Sequence, residues 1–326
     1  MAIRAGETGK GPFCVVCAGP GRGLFRAHGY EILGCEGCGH RFAAAASSED
    51  HVARTYGDDY FFGGGAGYDD YPSEAELLRE RGVAYARLVR DHLEPGTVLD
   101  VGAAAGFLLE GFLAEGWKGR GLEPNARMAA IANARLGPIV DVGSLEGAAT
   151  GASVDLVLLL QVVAHFEDPR RALEKAAART RPGGFWLVET WDRASWTARA
   201  FGRRWHEYSP PSVLHYFSRG GLRQLAASLG FREVAFGRPL RRIGVAHARS
   251  LLEHTLGGPP LGWLVAPLRL LPDSLGIPYP GDDLFWTLFQ NVDPQHAVLR
   301  PGQAHQPPHV LPPHDPTCPR RRPPGP

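Results

Sequence analysis

The chain has 326 residues, with 35 Lys and Arg against 34 Asp and Glu for a net charge of +1, and 44% of it is hydrophobic; such a composition suits one full domain with its own core plus a small module. The near-zero charge leaves no basic field to gather a phosphate backbone, which counts against nucleic acid as the default partner. No basic segment followed by an apolar stretch opens the chain and no apolar run of about 18 residues would cross a bilayer, so a cytoplasmic protein without a membrane span is expected.

Four of the five cysteines come first, as Cys14-x-x-Cys17 and Cys35-x-x-Cys38. A C-x-x-C turn points both thiolates at one tetrahedral centre, and the gap of about 17 residues lies inside the usual spacing of a four-thiolate site. Residues 1–45 are therefore predicted to be a zinc ribbon with a hairpin over Leu24–Leu33. Two disulfides would need an oxidising compartment, and a redox motif a thioredoxin-like context; the sequence points to neither. His28 and His40 lie close by, but four thiolates already close the site.

Residues 46–75 are rich in Tyr and Gly, with Tyr56, Tyr60, Tyr68 and Tyr71 spaced through them. Aromatics on a glycine-rich segment suit either a lid over a bound ligand or a linker packed on the ribbon. From Ser73 to His92, Leu77, Leu78, Tyr85, Leu88 and Val89 follow helical spacing, with Ser73 as the expected cap.

Next comes Val98–Phe107, an apolar strand that ends in an acid and breaks into small residues where a helix begins. Such a turn aims backbone N–H groups and a helix N-terminus at a ligand. A dinucleotide fingerprint wants a middle glycine where this chain has Ala104. Asp100 brings a carboxylate into the turn, which suits a sulfonium and an ammonium better than two phosphates, so S-adenosylmethionine is the expected cofactor. A second strand ends at Glu123, about 20 residues on, where a carboxylate grips ribose hydroxyls.

Further strands are predicted near 138–142, 154–161 and 185–190, with helices between them and Arg181-Pro182-Gly183-Gly184 as the stop before the last. A helix near 218–229 leads to a strand at Arg232–Phe236, and Asp283–Phe289 reads as the final strand. Inserts are expected at 192–217 and 242–280. Prolines break the apolar 242–280 stretch, which reads as a helical cover over a pocket or as a segment lying on a membrane surface. Residues 293–326 are rich in Pro and His without a periodic apolar face, the composition of a disordered tail. A reading-frame extension or a metal-binding His tract would both produce it.

Four segments, VLDVGAAAGFLL, GLEPN, VDLVLLLQVVAHFEDP and RPGGFWLVET, make residues 80 to 292 resemble a class I S-adenosylmethionine-dependent methyltransferase of the small-molecule type. In the third segment His165, Asp168 and Pro169 match an EH-x-x-D-P turn, with Ala164 in the place of the Glu; in the 192–217 insert, where the family commonly reads P-x-H-L, Val213 stands at the His position. The resemblance implies an α/β fold of the Rossmann type, a mostly parallel seven-stranded sheet, here behind a zinc ribbon. It implies that Asp100, Gly102 and Gly106 seat the methionine end, Glu123 the ribose, Ser144 and Leu145 the adenine, and that Gln161 lies beside the methyl. His165, at the carboxyl edge of the sheet, is the first candidate for the general base, a backbone-bonding turn His being the alternative; His206 and His215 come second. Trp191 and Tyr216 join the tyrosines of 46–75 as expected substrate or lid residues. The expected acceptor is a small molecule, a sugar or secondary metabolite methylated on oxygen or carbon. An RNA- or protein-directed enzyme that uses the ribbon for recognition is the alternative, kept open by Arg193, Arg199, Arg203 and Arg204.

Overall fold

The computed structural model describes residues 13–44, 55–62, 71–147, 151–239, 242–245, 249, 267, 270–272, 275–278 and 281–292. Tyr68, the expected tail at 293–326 and most of the 242–280 insert lie outside them.

The ribbon hairpin is β1 (Gly21–Ala27) and β2 (Tyr30–Cys35), followed by β3 (Arg41–Ala43). A short helix α1 (Asp58–Phe62) and a 3-10 turn at Tyr71–Glu74 precede α2 (Ala75–Val89). Ser73 lies inside that turn, and Glu74 takes the cap position without a side-chain bond. The chain then alternates β4 (Thr97–Val101), α3 (Phe107–Ala114), β5 (Lys118–Glu123), α4 (Ala126–Leu136), β6 (Val140–Val142), β7 (Val154–Leu160), α5 (Pro169–Ala178) and β8 (Thr180–Trp191). Next are α6 (Trp196–Phe201), β9 (His215–Tyr216), α7 (Arg219–Ala227), β10 (Phe231–Gly237), β11 (Arg242–Gly244), β12 (Gly276–Pro278) and β13 (Leu284–Asn291). β11 and β12 pair antiparallel, which brings the two ends of the 242–280 insert together.

Seven strands form one sheet in the order β10-β13-β8-β7-β4-β5-β6. The five from β8 to β6 are parallel, and β13 runs antiparallel to both its neighbours. Strand alternation sorts the apolar side chains onto two faces. Leu99, Val101, Val157, Leu159, Trp186 and Val188 meet Ala172, Leu173 and Leu225 on one side. Val98, Leu156, Leu158 and Leu187 meet Tyr85, Val89, Leu109, Phe112 and Ala132 on the other. Each Val, Leu or Phe among them contributes about 1.5–3 kcal/mol by leaving water.

Arg181–Gly184 is no stop: these residues belong to β8, where the pairing with β7 jumps from Val154–Thr180 to Leu156–Phe185. The extra residues form a bulge that needs Gly183 at φ 73°, which only glycine adopts without strain.

The ribbon is continuous with the rest. Its sheet has the order β1-β2-β3-β9, so β9, from the 192–217 insert, is its fourth strand. Cys14, Val16, Leu33 and Phe42 share a core with Val163, Phe166 and Phe217. Among the described residues no helix is long and apolar enough to cross a membrane.

Candidate active site and metal centre

At the end of β4, Gly102 and Gly106 both adopt left-handed conformations, φ 73° and 76°. A Cβ on Gly102 would lie 2.6 Å from Val162 Cγ1, so the turn can pass under the end of β7 only with glycine there. The Gly102 and Ala103 amides donate to Leu122 O at 2.8 and 3.0 Å, which ties the turn to β5. Ala104 is also left-handed, φ 47°, and its amide donates to Glu123 Oε2 at 2.7 Å.

Asp100 and Glu123 are 2% and 3% exposed. Neither has a Lys or Arg partner among the described residues, and Asp100 Oδ2 is buried without any hydrogen bond. Burial, and then the charge of Glu123, push the Asp100 carboxyl up to about 7. Burial pushes Glu123 up to about 6 against the opposing pull of the Asn125 and Ala104 amides. Two carboxylates held together without a cation are a site for a positively charged ligand group.

Gln161, just past β7, is held at φ 61°, a strained setting for a residue with a side chain. Its amide donates to Glu189 O at 2.9 Å and its Nε2 to Glu189 Oε1 at 2.7 Å. The fully buried Glu189 carboxylate also takes the partly buried Arg81 and the Tyr85 hydroxyl. Sequence reasoning missed Glu189; its signal was a single charged residue directly after the apolar run Phe185–Val188, still within the strand. Ser144 and Leu145 follow β6, with Ser144 Oγ accepting from the Gly147 amide and Leu145 buried.

His165 occupies the turn after β7. Its Nδ1 lies 2.8 Å from Ser212 O and 3.0 Å from the Tyr56 hydroxyl, which itself donates to Ser212 O at 2.8 Å. A carbonyl only accepts, so Nδ1 carries the proton and Nε2 is left as the basic nitrogen. Burial lowers the His165 pKa and the Ser212 carbonyl opposes it, favouring the neutral ring that a base needs. Asp168 and Pro169 serve the following helix instead, since Asp168 Oδ1 accepts from the Arg171 amide at 3.1 Å and Pro169 fills the first position of α5, a standard helix start.

The described start of the tyrosine-rich segment spans these two places. Asn125 caps α4 through Oδ1, while its Nδ2 donates to Tyr56 O and Asp58 Oδ1 at 3.1 Å each. Arg127 pairs with Asp58 at 3.3 Å. Tyr60 packs edge-on to Tyr56, and Tyr71 packs on Phe61 and Phe107.

Four expected residues turn out to be committed elsewhere. His215 is buried in β9, its Nδ1 3.3 Å from His40 Nε2 and its Nε2 3.4 Å from Glu167 O, and burial lowers its pKa to about 4. With both nitrogens engaged it has no face for an acceptor. Tyr216 is 1% exposed, its ring against Tyr208 and its hydroxyl donating to Val213 O at 3.0 Å, so it is a core residue and not a lid. Trp191 packs edge-on to His206 at 4.8 Å, and His206, within the 192–217 insert, faces Glu207 and the buried Asp283 at 3.4 and 3.9 Å.

The four cysteine sulfurs all lie within 4.8 Å of one another, with Cys14–Cys38 at 3.5 Å and Cys17–Cys35 at 3.3 Å. These separations exceed the S–S bond length of about 2 Å and bracket the edge of about 3.8 Å that four thiolates around one zinc would have. The Val16 amide donates to Cys14 Sγ at 3.4 Å, a bond that stabilises a thiolate. The donor set fits a four-thiolate metal ion.

Residues 75–235 match the model of a family described as a methyltransferase domain. The chain is similar to the ubiquinone biosynthesis O-methyltransferase of Parvibaculum lavamentivorans, 31% identical over 159 residues, covering 46% of this chain and 60% of that protein. An uncharacterized methyltransferase of a Mycobacterium species is 36% identical over 95 residues, 27% of this chain and 36% of that protein. The match thus spans less than two thirds of these curated relatives. Among solved structures, the 1,6-didemethyltoxoflavin-N1-methyltransferase of Burkholderia thailandensis aligns with a TM-score of 0.47 at 14% identity, over 83% of this chain and 99% of that one.

Proposed function

Residues 75–235 belong to the methyltransferase-domain family, and we propose from that premise that the chain transfers a methyl group from S-adenosylmethionine to a hydroxyl or carbon of a small molecule, a sugar or secondary metabolite. The buried pair Asp100 and Glu123, with no Lys or Arg partner among the described residues and one carboxylate oxygen unpartnered, carries the reading, because a cofactor with an ammonium and a sulfonium supplies the missing charge. The cofactor brings an electrophilic methyl; the chain's residues do the rest. Asp100 and the Gly102–Gly106 turn receive the methionine end and Glu123 the ribose. Ser144 and Leu145 border the adenine, and Gln161, fixed by Glu189, faces the methyl. His165 takes the acceptor's proton on Nε2 while Ser212 holds Nδ1–H, and the tyrosine-rich segment covers the pair. Holding the acceptor at near-attack distance and removing its proton is what an in-line displacement asks of a protein.

Zinc at Cys14, Cys17, Cys35 and Cys38 has a structural role in this reading. Calorimetry tests the cofactor: S-adenosylmethionine binds, NAD does not, and Asp100→Ala abolishes binding. Tighter binding of NAD would reject the assignment. Mass spectrometry of metabolite extracts incubated with the protein and labelled cofactor then finds the acceptor; label entering RNA or protein but no small molecule would reject the substrate class. Elemental analysis should find close to one zinc per chain, lost in Cys14→Ser.

A further inference from the structure

We propose that the four-cysteine metal centre is the brace of the acceptor-side wall: it fixes the position of His165 through β3 and β9, while the cofactor side stands without it. The inference rests on the function proposed above.

The segment Ser212–Tyr216 holds His165 twice. Ser212 O takes its ring at 2.8 Å, and the Leu214 and His215 amides both donate to O of the preceding residue, Ala164, at 2.9 and 3.0 Å. The other edge of the same segment is held by the ribbon. Arg41 and Phe42 pair with Tyr216 and His215, and the Ala43 amide donates to Leu214 O at 2.8 Å. β3 leaves directly from the second cysteine knuckle, which is closed by Gly39 N to Cys35 O at 2.9 Å and Cys35 N to His40 O at 2.8 Å.

The first knuckle grips the opposite flank of the same turn. Arg170, at the start of α5 and five residues past His165, donates to Val15 O and Val16 O at 3.1 Å each. The turn from Val162 to Arg170 is therefore clasped between the two knuckles. Three short strands and two knuckles bury too little surface to fold alone, so the metal's binding energy becomes the folding energy of the clasp. By contrast, Gly102, Ala103, Ala104 and Glu123 bond to one another, to Leu122 and to Asn125, with no ribbon residue among these partners.

The test is hydrogen exchange on the full chain, zinc-loaded and after removal of zinc by a chelator. Leu214 and His215 should exchange about tenfold faster or more without metal, the sign of a local opening. The amides of Gly102–Ala104 and the calorimetric affinity for S-adenosylmethionine should not change. Ala43→Pro provides a second route, deleting the N–H that Leu214 O accepts while leaving four cysteines: it should retain zinc and still release Leu214 and His215. Unchanged protection of these two amides after zinc removal overturns the brace, as does an equal loss at Gly102–Ala104. A purified chain without zinc would remove the proposed centre, and the brace with it; zinc present with exchange unaltered would remove the brace alone.

Discussion

Asp100→Asn should stabilise the ligand-free chain, and by more as the pH rises. The carboxyl of Asp100 moves from its ordinary value of 3.8 up to about 7 on folding, through burial and then the charge of Glu123. Between those values the folded chain keeps a proton that the unfolded chain releases, so this group's contribution falls as pH rises through the window and is smallest above pH 7. Integrated, the penalty is about 2 kcal/mol at pH 5 and about 4 kcal/mol at pH 8. Asparagine has nearly the same shape and no charge, so its advantage over the parent should widen by about 2–3 kcal/mol between the two pH values. Urea unfolding of parent and variant at pH 5 and 8, both without cofactor, measures it. In a chain of this size each kcal/mol moves the melting temperature by about 1–2 °C, so thermal melts give an independent reading. A difference that is the same at both pH values, or a variant less stable at pH 8, would refute the idea that Asp100 is an uncompensated buried charge. The same variant should lose its affinity for S-adenosylmethionine, separating stability from binding at one atom.

Cofactor affinity in the parent should decline by up to about tenfold per pH unit below pH 7, as Asp100 takes up the proton that binding must displace; a flat calorimetric profile from pH 5.5 to 8 would mean that the charge is not used. Gly102→Ala forces a left-handed alanine at about 1–2 kcal/mol and pushes on Val162, so denaturant melts should show the loss along with weakened cofactor binding. His165→Ala should lower turnover by about 10² to 10⁴ with cofactor affinity little changed; equal loss of fold and turnover would make His165 a turn-stabilising residue, and a small loss would indicate an acceptor carbon already activated. Glu189→Gln removes the charge of a buried carboxylate from its pair with the partly exposed Arg81 and should cost about 1–3 kcal/mol in unfolding experiments.

The parallel sheet was legible because its signals are local: apolar runs such as Val154–Leu160, each closed by a turn of small residues or a capped helix. The same holds for the cysteine pairs, where spacing alone implies convergence. Failures came where a residue's fate depends on a distant strand. Nothing near His215 or Tyr216 in sequence reveals that β3, some 175 residues earlier, pairs with them and buries both. Glu189 was missed for a similar reason, since its partners Arg81, Tyr85 and Gln161 come from two other elements. The turn Arg181–Gly184 misled because two glycines after a proline read as a break, whereas here they let one strand bulge and carry on.

Ala104 has a consequence for how such turns tolerate change. It holds a left-handed conformation at φ 47° with its methyl buried among Phe61, Tyr71 and Phe107. Glycine there would relieve about 1–2 kcal/mol of backbone strain. It would also give up about 0.8 kcal/mol of methyl burial and about 0.5–1 kcal/mol of backbone entropy. The two sides cancel to within about 1 kcal/mol, so the middle of this turn is close to neutral between the two residues. Gly102 has no such latitude, because there a methyl meets Val162 instead of a space it can fill. A turn of this kind is thus defined by where a methyl collides and not by how many glycines it contains, and chains with alanine in the middle can keep the same cradle for a charged ligand.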